Sequence, residues 1–329
     1  VASAAQDEDF HGVVAVERGG ERLLEVAGGL ASRRWSVPMT MSTRFDTASI
    51  TKLFTSAAVF ALVDRGALSL DDSIHRHADL RDTTISPDVT LRHLLTHTSG
   101  IADDADEEAG EHYEDLFVDQ PNYAITETRH FLKNFAHKPP MAAPGETCRY
   151  CNVGYVLLGL AIESAAGCSY RDFIRSEVFA PLGMSDSGFF DRRDAEPRVA
   201  EGGELVGGRW QQNIYSYPPI GSPDGGAHCT ADDLLRFLRG MRGGELLSPA
   251  STAAWFTPQV RHDDRVQYGF GLEFGAASFR KEGVNNGVSG FVSYPQAGVD
   301  AVVLSTGEAG AWPVVRALNA AFRDPHLDD

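Results

Sequence analysis

The chain is poor in lysine and cysteine, and it lacks a long hydrophobic run. Only four of its 29 Lys and Arg residues are lysines, and it has four cysteines. No stretch approaches the roughly 20 apolar residues of a membrane-spanning helix, so we expect no membrane span. The first residues lack the basic start and apolar segment of a signal peptide. We therefore expect a cytoplasmic protein, with a processed secreted form as the alternative.

The charge balance is strongly acidic. Forty-six Asp and Glu residues give a formal net charge of −17, and they are spread along the chain rather than gathered in one tail. This balance argues against nucleic acid or an anionic membrane as a partner. The densest acidic run, at positions 103–108, is interpreted as a solvated loop.

Several motifs of catalysis and metal binding are missing. The chain has no G-x-S-x-G sequence and no Walker-type phosphate loop. Cys148 and Cys151 have metal-like spacing but no second pair, so the cysteines are interpreted as reduced core residues. His93 and His97 lie four residues apart, but Leu94 stands where a zinc-protease motif has Glu, which favours a structural role. We expect no metal and no cofactor.

Periodicity predicts strands at both ends of the chain and helices between them. Alternating apolar residues around Gly19-Gly20 predict a hairpin over 11–27. Strand patterns return over 269–274, 290–294 and 300–305. Helical spacing and capping residues predict helices over 49–65, 91–95, 152–166, 231–239 and 313–322.

This order predicts an α/β (α+β) protein whose antiparallel sheet is flanked by helices and built from both termini. We expect a sheet lobe from residues 1–68 and 225–329 and a mostly helical lobe from residues 69–224. A substrate site belongs in the cleft between two such lobes.

Ser49 and Lys52 form the first candidate catalytic pair. Residues three apart share one face of a helix, so the Lys52 amine can approach the Ser49 hydroxyl. A serine is a weak nucleophile until a neighbouring base activates it. Lysine suits this chemistry because a desolvated amine can lose its proton, whereas a guanidinium stays charged. The similarly spaced Ser278 and Lys281 lie in a predicted strand, where they point to opposite faces.

Two further short motifs carry reactive groups. Tyr150-Cys151-Asn152 follows a turn and precedes a predicted helix, and positive charge nearby would lower the pKa of such a tyrosine and make it a base. Lys281-Glu282-Gly283 precedes the final strands. In isolation each motif favours a structural role, the first as a helix anchor and the second as a surface turn.

Together, Ser49-x-x-Lys52, Tyr150-x-Asn152 and Lys281-x-Gly283 resemble the three motifs of the serine β-lactamase and penicillin-binding-protein family, in its class C-related branch. Other segments agree in order and spacing, so the resemblance covers nearly the whole chain. These segments are 45–52, 94–101, 144–159, 181–184 and 225–234.

The resemblance implies a β-lactamase/transpeptidase-like fold and an acyl-serine hydrolase that acts on a small-molecule or peptide substrate. Ser49, Lys52 and Tyr150 would be its catalytic residues, and an ester, amide or peptide carbonyl would be attacked. The alternative is a catalytically silent penicillin- or peptide-binding module that retains the fold. Aromatic residues of the loops 102–123 and 209–223 would either line an acyl pocket or pack on the surface.

The resemblance also implies the substrate-binding residues. Asn152 would orient the substrate or Lys52, and Lys281 would support charge near Tyr150. Backbone N–H groups of Ser49 and of Val284, which follows Gly283, would form the oxyanion hole.

The third motif leaves two questions open. An alternative alignment places it at Val284-Asn285-Asn286, which would leave the site without a third cation. Glu282 stands where family members that bind a β-lactam carboxylate often have Thr or Ser. If its side chain faces the cleft, it should repel a substrate carboxylate and favour a neutral or cationic substrate.

Overall fold

The structure, a computed structural model, describes residues 1–5, 10–275, 278–295 and 298–322. The strands within these residues are β1 (Gly12–Arg18), β2 (Glu21–Gly28), β3 (Leu30–Ser32), β4 (Val37–Pro38), β5 (Phe45–Asp46), β6 (Gly203–Val206), β7 (Arg209–Gln212), β8 (His228–Cys229), β9 (Val260–Arg261), β10 (Gln267–Tyr268), β11 (Glu273–Phe274), β12 (Ser278–Asn285), β13 (Val288–Pro295) and β14 (Val299–Ser305). The α-helices are α1 (Ala2–Ala5), α2 (Lys52–Asp64), α3 (Leu91–Leu95), α4 (Leu132–Phe135), α5 (Asn152–Ala166), α6 (Tyr170–Ile174), α7 (Ala231–Gly243), α8 (Pro249–Trp255) and α9 (Trp312–Phe322).

Strands from both ends of the chain form one sheet. Its eight strands follow the order β2-β1-β14-β13-β12-β11-β10-β9, and each pair is antiparallel. Residues 11–27 form the predicted hairpin, and β1 pairs directly with β14 near the end of the chain. The predicted sheet built from both termini is therefore confirmed.

The two faces of the sheet carry separate apolar clusters. Because side chains alternate along a strand, Val292 and Phe291 of β13 point to opposite faces. Val292 pairs with Lys281, and its cluster includes α2, α5 and α7. Phe291 pairs with Glu282, and its cluster includes α1 and α9. These pairings assign Lys281 to the α2 face and Glu282 to the α9 face.

Helix α2 runs through the middle of the larger cluster. Its residues from Lys52 to Leu62 are all buried, which is the pattern of a central helix with partners on all sides. Each fully buried Leu or Phe in such a position contributes roughly 1.5–3 kcal/mol. The same cluster draws residues from both predicted lobes, and the lobe boundaries stay a prediction.

Three expectations from the sequence need correction. Of the predicted strand 269–274, only Glu273–Phe274 (β11) is a strand, because Gly271 has a φ of +99° and turns the chain between β10 and β11. The acidic run is only partly solvated, since Asp103 and Asp104 are buried. Cys168 is exposed, so the four cysteines are not all core residues.

Within the described residues, no single helix is long and apolar enough to cross a membrane. One bent pair, Asn152–Ala166 with Tyr170–Phe179, passes that test of length and composition, with an angle of 78° between its parts. The first helix of this pair is largely buried in the protein.

Candidate active site

Ser49 lies in the 3-10 turn Ala48–Thr51, which leads directly into α2. Ala48 has a φ of +42°, a left-handed conformation that is strained for a residue other than glycine. Asp46 Oδ1 accepts a hydrogen bond from the Ala48 N–H (2.8 Å), and the Gly226 N–H donates to the Ala48 carbonyl (3.3 Å). These contacts hold the turn and leave Ser49 half-buried beside a pocket.

The Lys52 amine lies next to the Ser49 hydroxyl, as the spacing predicts. Lys52 is fully buried, and its Nζ donates to Ser49 Oγ at 3.1 Å. It also donates to Asn152 Oδ1 (2.7 Å) and to the Asp224 backbone carbonyl (2.6 Å). Three acceptors match the three hydrogens of an ammonium group, so this arrangement suits the charged form of Lys52.

Tyr150 reaches the same hydroxyl from the chain segment before α5. Its OH donates to Ser49 Oγ at 2.8 Å. The Nζ atoms of Lys52 and Lys281 lie 5.1 and 5.0 Å from the centroid of its ring. Two ammonium groups at this distance favour the negatively charged phenolate. The structure therefore brings together the serine, lysine and tyrosine that the sequence singles out.

Lys281 lies close to Tyr150, in agreement with the first alignment of the third motif rather than the one at 284–286. It is buried, and its Nζ forms an ion pair with Glu273 Oε1 at 2.7 Å. Burial alone would raise the pKa of the Glu273 carboxyl, but the positive charges of Lys281 and Arg280 lower it. The charge of Lys281 is thus balanced by a carboxylate that the sequence analysis did not single out.

Gly283 lets strand β12 pass against the Ser49 turn. A Cβ atom at this position would lie 2.3 Å from the Thr47 carbonyl oxygen and 3.2 Å from the Ser49 nitrogen. The β11 ladder ends at Arg280, so from Lys281 onward this edge of β12 faces the site. Val284 follows on this edge and lines the pocket beside Ser49. This is the residue whose N–H group is expected to form part of the oxyanion hole.

Glu282 lies elsewhere. It is on the α9 face of the sheet and is absent from the described lining of the pocket beside Ser49. Its Oε1 lies 3.2 Å from Arg280 Nε. Strand alternation turns the side chain away, so the condition for repelling a substrate carboxylate is not met.

Asn152 begins helix α5 and is held there by Asp103. The two carboxyl oxygens of Asp103 accept the N–H groups of Asn152 (2.7 Å) and Val153 (3.0 Å). Burial raises the pKa of Asp103, although these hydrogen bonds oppose the effect. Sequence reasoning missed Asp103, because an acidic run gives no sign of which member is buried.

A pocket opens beside Ser49. Its apolar lining comes from Tyr113, Tyr217, Pro218, Pro219 and Ile220. One aromatic residue from each of the loops 102–123 and 209–223, Tyr113 and Tyr217, therefore lines this pocket.

Charged residues at the pocket are paired with each other. Arg192 Nη2 lies 3.1 Å from Asp46 Oδ2, and the Arg192 guanidinium stacks 3.8 Å above the Tyr217 ring centroid. Asp224 also lines the pocket, and burial raises the pKa of its carboxyl. A paired cation is less available to a charged ligand.

The side chains of His93 and His97 each accept a hydrogen bond from a backbone N–H group. His93 Nδ1 accepts from the Thr90 N–H (3.3 Å), and His97 Nδ1 accepts from the Cys151 N–H (3.1 Å). Across the described ranges, no group of three or more His, Cys, Asp or Glu side chains has the arrangement of a metal site.

Comparison with known proteins identifies the family. The Beta-lactamase family model matches residues 1–322, and the chain belongs to this family. A penicillin-binding protein from Bacillus halodurans has a similar crystal structure, with a TM-score of 0.94 and 33% identity over 98% of this chain and 99% of that one. The β-lactamase/transpeptidase-like fold is therefore confirmed.

Two curated relatives differ in their described activities. Esterase EstB from Burkholderia gladioli is 33% identical over 76% of this chain and 70% of its own length. Penicillin-binding protein 4* from Bacillus subtilis (strain 168) is 27% identical over 81% of this chain and 60% of its own length. The chain thus spans about 60% of the length of this second relative. A serine hydrolase function is consistent with this family, and the relatives leave the particular activity open.

Proposed function

We propose that the protein is an acyl-serine hydrolase that cleaves esters or amides with an uncharged acyl group. The observation that carries this proposal is the position of Ser49 Oγ, which accepts hydrogen bonds from both Lys52 Nζ (3.1 Å) and Tyr150 OH (2.8 Å). A hydroxyl held by an amine and a phenol can pass its proton to whichever of them has first lost its own, as the hydroxyl oxygen attacks a carbonyl.

Tyr150 is the better proton acceptor of the two. All three hydrogens of the Lys52 ammonium have acceptors, and two ammonium groups near the Tyr150 ring favour its phenolate. Once the phenol loses its proton, the hydrogen bond reverses and Ser49 donates to the phenolate. Asn152 then serves mainly to hold Lys52.

In the acylation step, Ser49 Oγ forms a bond to the carbonyl carbon, its proton moves to the Tyr150 phenolate, and the carbonyl electrons move onto oxygen. Backbone N–H groups of Ser49 and Val284 stabilise that oxyanion. The bond to the leaving group then breaks, and Tyr150 returns the proton to the leaving alcohol or amine. A water molecule then attacks the carbonyl of the acyl-enzyme in the same way, and the acid is released from Ser49.

The charges around the pocket support an uncharged acyl group. Among the described residues near Ser49, Arg192 is paired with Asp46 and Lys281 with Glu273. A substrate carboxylate would have to compete with these partners, while the apolar walls suit a hydrocarbon chain. This charge balance, rather than Glu282, favours neutral substrates.

Pre-steady-state hydrolysis of p-nitrophenyl butyrate by the wild type and Ser49→Ala tests the proposal. We expect the wild type to release a burst of p-nitrophenol equal to the enzyme concentration, followed by slower turnover. The folded Ser49→Ala variant should show no burst. Ligand binding without turnover in both proteins would instead indicate the catalytically silent binding module.

A further inference from the structure

His97 occupies a backbone position that normally takes glycine. It follows α3 with a φ of +57°, and the Thr98 N–H donates to the His93 carbonyl (2.9 Å), as in a Schellman-type helix end. A side chain other than glycine or asparagine in this conformation is strained by about 1 kcal/mol or more. Such strain persists where the surrounding structure holds the residue in place.

The backbone N–H groups on both sides of Tyr150 are hydrogen-bonded to His97. The Arg149 N–H donates to the His97 carbonyl (2.9 Å), and the Cys151 N–H donates to His97 Nδ1 (3.1 Å). Tyr150 therefore lies between two hydrogen bonds that end on one residue. The first uses backbone alone, and the second depends on the side chain of His97.

The imidazole of His97 also packs against the Tyr150 ring. The two ring centroids lie 4.7 Å apart at an angle of 32°. Tyr155 and Tyr268 contact the other parts of the imidazole, with centroid distances of 5.3 and 5.0 Å. Tyr155 OH donates to the Leu95 carbonyl (3.0 Å), which fixes this second ring in turn.

His97 is held in one neutral form. Because Nδ1 accepts from the Cys151 N–H, the single ring hydrogen is on Nε2. Burial and the positive charges of Lys281 and Lys52 lower the pKa of His97 well below its usual value, and His262 acts in the same direction. Within the described part of the chain, Nε2 has no hydrogen-bond acceptor, and aromatic rings surround it.

We propose that His97 is a positioning residue for Tyr150, which it holds through the Cys151 N–H and through ring contact so that the phenol meets Ser49. The inference rests on the proposed function, in which Tyr150 receives the Ser49 proton. A hydrophobic residue could fill the same space, but it could not accept the Cys151 N–H. A protonated histidine could not accept it either, so the neutral ring meets both requirements.

Single-turnover acylation by His97→Asn and His97→Gly tests the proposal. Both replacements tolerate the left-handed backbone, so they separate the side chain from the strain. Asn keeps an oxygen that can accept from Cys151, whereas Gly removes the acceptor and the ring. We expect acylation to fall about 100-fold in His97→Gly and about 10-fold in His97→Asn, with KM changed less than about threefold.

A double-mutant cycle with Tyr150→Phe separates positioning from general stability. If His97 acts through Tyr150, the His97→Gly change should alter acylation less than about threefold once the phenol is gone. His93→Asn, on the same short helix and retaining an acceptor for Thr90, is the matched control and should acylate normally. Urea unfolding of each variant establishes that the protein is folded.

The outcomes distinguish this inference from the proposed function. Near-normal acylation by His97→Gly would overturn the positioning role. So would equal losses from His97→Gly in the wild type and in Tyr150→Phe, since they would show that His97 acts independently of the phenol. Absence of any burst from the wild type would instead refute the proposed function itself.

Discussion

Lys52 is the residue whose surroundings limit its chemistry most closely. Its three acceptors are the Ser49 hydroxyl, the Asn152 side chain and the Asp224 carbonyl. They are arranged around a single nitrogen, which a compact ammonium can satisfy. A guanidinium carries the same charge but spreads its hydrogens over a plane.

We therefore predict that Lys52→Arg lowers the acylation rate about 100-fold, the scale of loss caused by displacing a reacting group by about 1 Å. The charge near Tyr150 is kept, but the three hydrogen bonds cannot all form and Ser49 moves. The burst of p-nitrophenol measures the effect. Lys133→Arg, at an exposed position, is the matched control. Acylation within a few fold of the wild type would contradict the role given to Lys52.

Glu273 and Glu282 provide a test of substrate charge. Glu273 is paired with Lys281 at 2.7 Å, whereas Glu282 is paired with Arg280 at 3.2 Å and is absent from the described lining of the pocket beside Ser49. Glu273→Gln removes one negative charge beside Lys281 and keeps the shape of the side chain. Lys281 is then left to attract a substrate carboxylate.

The expected result is a change of preference. We predict that Glu273→Gln raises kcat/KM for mono-p-nitrophenyl succinate about tenfold relative to p-nitrophenyl butyrate, which corresponds to about 1.4 kcal/mol. Glu282→Gln should leave this ratio unchanged. If Glu282→Gln shifted the ratio and Glu273→Gln did not, the assignment of the two carboxylates would be reversed.

At the scale of secondary structure, the site depends on the close approach of β12 to the turn before α2. Gly283 has no room for a Cβ atom, because the Thr47 carbonyl would be 2.3 Å away. Both groups belong to the backbone, so neither can move aside cheaply. A methyl group must push the strand away from Ser49.

We predict that Gly283→Ala lowers the acylation rate more than about 100-fold, because the expected oxyanion donors separate. Gly243→Ala, near the end of α7, is a suitable control, since its Cβ would meet nothing nearer than 3.5 Å. Stopped-flow acylation and urea unfolding of both variants would show whether chemistry is lost while the fold remains. Equal loss in both variants would point to a general effect of added bulk.

Local sequence signals predicted most helices and strands. Contacts between residues far apart in the chain determined the features that those signals did not predict. The bounds of α5 follow from apolar spacing ended by Gly167, and the start of α7 follows from Thr230, whose Oγ1 accepts the Asp233 N–H (3.2 Å). The strand predicted over 269–274 failed because Gly271 turns the chain, and an alternating pattern does not reveal that turn.

The residues of the candidate site likewise fall into those that the sequence located and those that only the folded structure reveals. The motifs located Ser49, Lys52 and Tyr150, because their order and spacing along the chain resemble those of the family. Asp103 contacts Asn152 across 49 residues, and His97 contacts Cys151 across 54. No local pattern specifies such partners, so their roles emerge only from the folded chain.

At the scale of the whole molecule, the protein places acidic groups inside as well as on its surface. Asp103, Asp104 and Asp224 are buried. Burial and the negative charges of Asp103 and Asp224 raise the pKa of Asp104 well above its ordinary value. Burial likewise raises the pKa values of Asp103 and Asp224. Burial therefore favours the neutral form of each of these carboxyl groups more in the folded protein than in the unfolded chain.

The sign of the resulting pH effect follows from proton binding. Above pH 3.8, unfolded Asp104 loses its proton while the folded protein retains it, so stability from this group falls as the pH rises. We predict that Asp104→Asn removes this dependence. Its free energy of unfolding should exceed that of the wild type by at least about 1 kcal/mol at pH 8 and by clearly less at pH 5.

Urea unfolding at pH 5 and pH 8 tests this prediction in variants that both lose one acidic group. Asn retains an oxygen for the Ala105 N–H, which Asp104 Oδ1 accepts at 3.0 Å, so local hydrogen bonding is preserved. Asp119→Asn, at an exposed position, makes the same change in net charge without relieving a buried group. If both variants gain equally, general repulsion at a net charge of −17 is the cause. If Asp104→Asn is destabilised at pH 8 more than at pH 5, Asp104 is ionised and stabilising in the fold, and the explanation from burial is wrong.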